Sequence, residues 1–131
     1  FLFALFFWCA CARHGSAFDK RATSLTEDRY VQLHTGSKMP LTGLGTWESP
    51  RGEVYAAVTA ALNSGVRHFD CAPVYKNERE VGQALAESTV PRQDIWLTSK
   101  LWNDRRRPND VRMALEKSLR DLRTSYLDLY L

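Results

Sequence analysis

Three side chains in this sequence have the types and spacing for proton-transfer chemistry: Asp70, Tyr75 and Lys100. A phenol titrates near 10 and is a poor proton donor at neutral pH unless its anion is stabilised. A neighbouring ammonium supplies that stabilisation, and a carboxylate beside the ammonium holds it in place and keeps it charged. A Tyr/Lys/Asp group of this kind can give a proton to a carbonyl oxygen as hydride reaches its carbon. Two indoles, Trp47 and Trp102, accompany the group and would wall an apolar pocket for an aldehyde or ketone. Each residue also has a structural reading. Tyr75 can anchor a loop, and Lys100 can be a solvated side chain. Asp70, inside the run HFDCA, needs a partner because an unpaired buried carboxylate is costly, and Lys100 would be partner enough. Spacing alone leaves both readings open.

The elements that must position these residues follow from periodicity. Residues 30–33 and 39–41, with a Gly-containing turn over 34–38, predict a short β-hairpin. Residues 41–46 (LTGLGT) predict a first buried strand, which Gly45, Thr46 and Trp47 end. Residues 51–64 predict a helix with Val54, Ala57, Val58, Ala61 and Leu62 at helical spacing and Gly65 as its stop. Residues 68–72 predict a second strand carrying Asp70, with Tyr75 in the loop after it, and residues 77–88 a helix with Val81, Ala84 and Leu85 on one face. Residues 95–101 predict a third strand with Lys100 near its end and Trp102 just beyond. Residues 108–123 predict a long helix, Pro108 in its first turn, with Val111, Ala114, Leu115, Leu119 and Leu122 as the apolar stripe; residues 127–131 predict a fourth strand.

Alternation of this kind implies a parallel sheet with crossover helices. In parallel α/β barrels the active site lies at the C-terminal ends of the strands, which would bring the acid, the phenol, the ammonium and both indoles to one rim. No G-x-G-x-x-G follows the first strand, which counts against a Rossmann domain. A (β/α)8 barrel takes about 250 residues, so the 131 present supply about half of one. The expected fold class is therefore α/β: the N-terminal half of a (β/α)8 TIM barrel, preceded by a β-hairpin and truncated after the fourth strand. Residue 1 is Phe and the last residues, 126–131, form an apolar run, so both ends read as cuts.

Composition narrows the function classes. Hydrophobic residues make up 44% and charged residues 25%, as in a globular domain rather than a disordered one. A net charge of +3, with basic residues scattered apart from Arg105, Arg106 and Arg107, does not suggest nucleic acid as a partner. Those three arginines could be taken for a phosphate site, but charge runs of this sort usually belong to a solvated loop. Three cysteines, Cys9, Cys11 and Cys71, cannot all pair, which argues against a disulfide framework and fits a reducing compartment. Cys71 reads as a small core residue. Residues 1–12 (FLFALFFWCACA) are almost wholly apolar but short of the roughly 20 residues of a membrane span, so no stable membrane insertion is expected. They read as the apolar region of a secretory signal, with Ala10-Cys11-Ala12 as a cleavage site, or as upstream sequence outside the mature protein. Residues 1–24 are set apart from the fold, and 25–131 are taken as a partial barrel. Cys9, Cys11 and His14 match no zinc spacing, and no metal is expected.

Four blocks, GLGTW at 43–47, RHFDCAPVYKNEREVG at 67–82, LTSKLWN at 97–103 and YLDLYL at 126–131, resemble the motif blocks of aldo-keto reductases in order and spacing. The resemblance covers residues 30–131, and D-x-A-x-x-Y-x-N-E followed by S-K-L-W is specific. S-K-L-W-N and Pro108 look most like the NADP-dependent aldehyde reductases of that family. The resemblance implies an Asp/Tyr/Lys/His tetrad in which Asp70 matches the aspartate, Tyr75 the proton donor and Lys100 the lysine. The histidine belongs to an H-W-P-like motif that would follow Leu131; His14, His34 and His68 do not match it. Gly45, Thr46 and Asp70 match cofactor-binding positions near the nicotinamide end, and Trp47, Val74 and Trp102 match positions lining the substrate pocket. Most NADP contacts, including the 2′-phosphate site, lie in later segments of the family. The implied parent is a monomeric, cytoplasmic enzyme that reduces small aldehydes and ketones to alcohols with NADPH; a signal at residues 1–12 would instead mean the secretory route. The alternatives are an inactive fragment and a non-enzymatic binding or structural protein on the same fold. The presence of Asp70, Tyr75 and Lys100 favours an enzyme parent, and truncation favours an inactive fragment.

Overall fold

The computed structural model describes residues 29–105 and 107–131. The readings made above for residues 1–24, including Cys9, Cys11 and His14, and for the Arg106 side chain fall outside the described residues. Strands β1 (Tyr30–Gln32) and β2 (Lys38–Pro40) pair antiparallel, Tyr30 opposite Pro40, with Gly36 at φ +87° in the turn. The remaining elements alternate: β3 (Leu44–Gly45), α1 (Val54–Asn63), β4 (His68–Asp70), α2 (Glu78–Glu87), β5 (Trp96–Ser99), α3 (Pro108–Asp121) and β6 (Leu129–Tyr130). Among the described residues, β3, β4, β5 and β6 form one parallel sheet in sequence order. The α/β class with crossover helices is as the periodicity implies. No helix among the described residues is long and apolar enough to cross a membrane.

The alternation of side chains along a strand splits the sheet into two faces. Phe69 and Leu97 lie in the core with Val54, Val58 and Leu62 of α1, Val81, Ala84 and Leu85 of α2, and Leu122 after α3. His68, Asp70, Thr98 and Lys100 take the opposite face. There the His68 ring contacts both the hairpin and β5: Nδ1 donates to the Pro40 carbonyl at 3.0 Å, and Nε2 meets Thr98 Oγ1 at 3.2 Å. At the other end of α3 the Arg92 guanidinium donates to the carbonyls of Ile95 (2.6 Å) and Tyr126 (2.8 Å) and to Asp128 Oδ2 (2.9 Å), which also accepts from the Leu97 amide. That clamp fixes where β6 enters the sheet.

Several elements are shorter than expected. The first strand is not buried over 41–46: Leu41 is exposed, and only Leu44 and Gly45 find partners, Phe69 and Asp70. Close packing of Gly43 on His68, where a Cβ would come within 2.8 Å of the carbonyl oxygen, holds the chain against β4 before that ladder starts. Helix α1 begins at Val54 rather than 51, because Gly52 takes φ +86° and the helix cannot run through it. Val54, Val58 and Leu62 are its buried residues, whereas Ala57 is exposed, one step off the face. Gly65 at φ +87° does stop the helix, and the Val66 amide returns to the Ala61 carbonyl at 2.9 Å. The fourth strand is Leu129–Tyr130 rather than 127–131; its ladder pairs with Thr98 and Ser99, and backbone hydrogen bonds from Asp128 to Leu97 and from Leu101 to Leu131 flank it.

Candidate active site

The C-terminal edge of the sheet collects the reactive groups. Asp70 ends β4 and stands opposite Thr98 in the ladder. Lys100 is two residues beyond Thr98, hence on the same face, and its ammonium reaches back to Asp70 Oδ1 at 2.5 Å and to the Cys71 carbonyl at 3.0 Å. Tyr75 closes a single 3-10 turn, Pro73–Tyr75, and Lys76 follows in the left-handed region at φ +59°. The turn is held by the Tyr75 amide on the Ala72 carbonyl at 3.0 Å. It brings the phenol beside the ammonium: Lys100 Nζ lies over the Tyr75 ring, 5.2 Å from its centroid.

Burial by itself would pull the Lys100 ammonium down. The hydrogen bonds and charges of Asp70 and Tyr75 outweigh it, so Lys100 titrates above the ordinary lysine range. It is a cation at any working pH. Asp70 is not the buried carboxylate that HFDCA suggested; its side chain is 42% exposed, which leaves room beside the ion pair for a ligand.

Thr46 is buried, and both its amide and its hydroxyl donate to the Asp70 carbonyl at 3.1 Å. Gly45 is exposed, and no atom lies within 4 Å of where a Cβ would stand. The three residues matched to pocket positions do not share one wall. Val74 and Trp102 line a groove of about 340 Å³ together with Met113 and Ala114 of α3. Trp47, 68% exposed, stands instead against the Tyr75 ring, 6.4 Å between centroids. The Asp70–Lys100 pair lies outside that groove, on an open ledge. Arg105 and Arg107 are exposed, and Arg105 Nε lies 3.6 Å from Asp104 Oδ2, as in a solvated loop. Among the described residues no group of three or more His, Cys, Asp or Glu side chains is placed to hold a metal.

Asn77, Glu78, Thr98 and Ser99, which entered above only as members of motif blocks, and Ser118 are buried polar residues to which the sequence assigned no role. Asn77 Nδ2 donates to the Thr46 carbonyl at 2.8 Å, tying the loop after β3 to the loop after β4. The Glu78 carboxylate accepts from Ser99 Oγ at 2.7 Å and Ser118 Oγ at 3.1 Å. Burial pushes Glu78 above the usual carboxylate range, and the two hydroxyls oppose that push. Ser118 did leave a signal: it falls at a stripe position of α3, between Leu115 and Leu122, where an apolar residue is expected.

Cys71 is fully buried, and burial first, then the Glu78 charge, pushes its thiol up to about 12. Reactive cysteines are exposed thiolates. A thiol reagent at about pH 8, where an ordinary thiol is partly ionised, should therefore leave Cys71 unlabelled in the folded chain and label it once urea is added. Peptide mass mapping separates it from Cys9 and Cys11. Prompt labelling without denaturant would show that the thiol is open.

A parallel α/β sheet that gathers a carboxylate, an ammonium and a phenol at its strand ends defines a protein with its reactive groups on a rim. The chain belongs to the aldo/keto reductase family, whose model matches residues 39–131. It is 58% identical over 106 residues to the mouse protein "Aldo-keto reductase family 1 member A1", and the match takes in 77% of this chain and 33% of that one. The human protein of the same name is 57% identical over the same shares. Among solved structures, the aldose reductase of Schistosoma japonicum superposes with a TM-score of 0.75 at 51% identity, over 77% of this chain and 35% of that one. An aldo/keto reductase from Brucella melitensis gives 0.75 at 42% identity, over 78% and 39%. The chain thus spans about a third of the length of the curated relatives it matches.

Proposed function

We propose that this chain carries the proton-donating part of an NADPH-dependent carbonyl reductase that turns aldehydes and ketones into alcohols, on the first half of a (β/α)8 barrel. The observation that carries the reading is the set of groups around Lys100, whose ammonium bonds Asp70 and the Cys71 carbonyl and lies over the Tyr75 ring. Tyr75 gives its hydroxyl proton to the carbonyl oxygen of the substrate, where negative charge grows as the alcohol forms. Lys100 stabilises the phenolate left behind, and Asp70 keeps the ammonium aimed at it.

Residues Gly45, Thr46 and Asp70 suit the nicotinamide end of the cofactor. Gly45 leaves the backbone open to a planar ring, and Thr46 is pinned from both sides, by Asp70 and by Asn77. When bound, NADPH supplies the hydride that the carbonyl carbon accepts. Trp47, Val74 and Trp102 offer apolar surface on either side of Tyr75 for the substrate. We place the remaining cofactor contacts, and a histidine that orients the carbonyl, in the part of the relatives' length that this chain does not span.

The test is a chimera in which the chain is fused to the segments of the mouse relative that it does not span. Lys100→Met should lower kcat/KM for an aldehyde by about 10²-fold or more, the scale of losing a group aimed at developing charge. NADPH binding should change little. A Met variant that keeps more than about a tenth of the rate would remove Lys100, and with it the reading, from the chemistry.

A further inference from the structure

Glu78 is 3% exposed, yet it carries a carboxylate on the helix side of the sheet, away from the ledge. A side chain there need only fill space, and an apolar one would do so without burying a charge. What the carboxylate does instead is join elements. It lies three residues after Tyr75 in the chain and accepts from Ser99, the residue before Lys100, at 2.7 Å. Its second oxygen accepts from Ser118 in α3 at 3.1 Å. A closed ring results: Tyr75, Lys76, Asn77 and Glu78 along the backbone, across to Ser99, on to Lys100, and back to Tyr75 through the ammonium that lies over its ring, 5.2 Å from the centroid. Lys76 in the left-handed region makes the bend, and Asn77 is fastened to the Thr46 carbonyl at 2.8 Å, so the covalent side of the ring has little slack. The Glu78–Ser99 bond is then the link that sets how far the phenol stands from the ammonium.

We propose that Glu78 is a positioning residue, fixing the separation of Tyr75 and Lys100 from the helix side of the sheet. This rests on the reductase reading above only for its effect on rate. The geometric consequence, the hold on Lys100, belongs to the chain itself.

The test uses Glu78→Met, Glu78→Gln and Ser99→Ala. Glutamine has the same shape; it can accept from one serine and donate to the other, whose hydroxyl turns to accept. In the 131-residue chain, hydrogen exchange at the Lys100 ammonium is followed by NMR with ¹⁵N-labelled lysine. Exchange should be slow in the wild type and in Glu78→Gln, and clearly faster in Glu78→Met and Ser99→Ala. In the chimera, Met and Ala should lower kcat by about 10- to 100-fold with KM unchanged, since a misplacement of about 1 Å costs rate on that scale. Gln should recover most of the loss. A purely structural role would move the melting temperature and leave kcat alone. The proposal is overturned if folded Glu78→Met keeps wild-type exchange and kcat, or if Gln behaves like Met, which would make charge rather than bond geometry the cause. Should Met prevent folding, Ser99→Ala decides: it removes one hydroxyl, and unchanged exchange overturns the proposal. If Tyr75→Phe leaves turnover high while exchange at Lys100 still responds to Glu78, the reductase reading fails and the positioning role stands.

Discussion

Tyr75→Phe in the chimera should lower kcat by about 10²–10⁴-fold, the contribution of a general acid, with NADPH affinity and the fold unchanged. Phenylalanine fills the ring's place, so the contact with Trp47 at 6.4 Å between centroids persists. Lys100 keeps Asp70 and the Cys71 carbonyl as partners, so the cation is not set loose. What disappears is a proton needed only when the carbonyl oxygen gains charge, and an interaction confined to the transition state shows in kcat rather than in ground-state binding. Stopped-flow turnover with a simple aldehyde, beside NADPH binding followed by its fluorescence, separates the two. Retention of more than about a tenth of the turnover would mean that another group delivers the proton. Loss of NADPH affinity along with turnover would mean that the ring, not the hydroxyl, is what the site needs.

Gly82→Ala should have the largest effect on stability. In an ordinary helix this change stabilises by about 1 kcal/mol. Here Gly82 is buried in α2, where it meets the end of α3. A Cβ would stand 2.3 Å from the Asp121 carbonyl oxygen and 2.6 Å from Leu122 Cα. Both obstacles are backbone, so no rotamer change relieves them and the helices must part. Overpacking that side chains can absorb costs about 1–3 kcal/mol; this contact should exceed 3 kcal/mol, a large share of the 5–15 kcal/mol of a typical domain. Urea unfolding followed by circular dichroism reads it directly. A variant as stable as the parent would show that α2 and α3 have freedom to shift.

The sequence made the reacting groups legible and left their supports hidden, for one physical reason. Asp70, Tyr75 and Lys100 follow strand and turn signals, and a parallel sheet sends its strand ends to one edge whatever the packing beneath. Lys100 reaching Asp70 even follows from register, two positions past the partner in the ladder. Glu78 and Ser118 are polar residues on helices and Asn77 stands at the N-cap of α2, positions that pattern reading assigns to solvent. Their burial is decided by which helix lies across them, a tertiary fact. Ala57 fails in the opposite sense: a small apolar residue at a plausible spacing, it lies one step off the face that Val54, Val58 and Leu62 bury. Val74 and Trp102 do share a groove, but Trp47 stands apart because its loop is set by Thr46 and Asn77, not by the pocket.

The strand register also bears on how the molecule assembles in time. Gly45 pairs with Asp70, Asp70 with Thr98 and Ser99 with Tyr130, so each added strand closes a loop of about 25 to 31 residues, and closure entropies for such lengths differ by only about 0.2 kcal/mol. Chain entropy therefore favours no strand pair over another as the starting point. The choice falls to burial, and Phe69, Leu97, Val58 and Val81, all fully buried, lie on β4, β5, α1 and α2. That centre is the natural nucleus, with β3 and β6 joining at its flanks. In such a sequence the Asp70–Lys100 side of the ledge forms with the nucleus, and Thr46 and Trp47 arrive with the later strand.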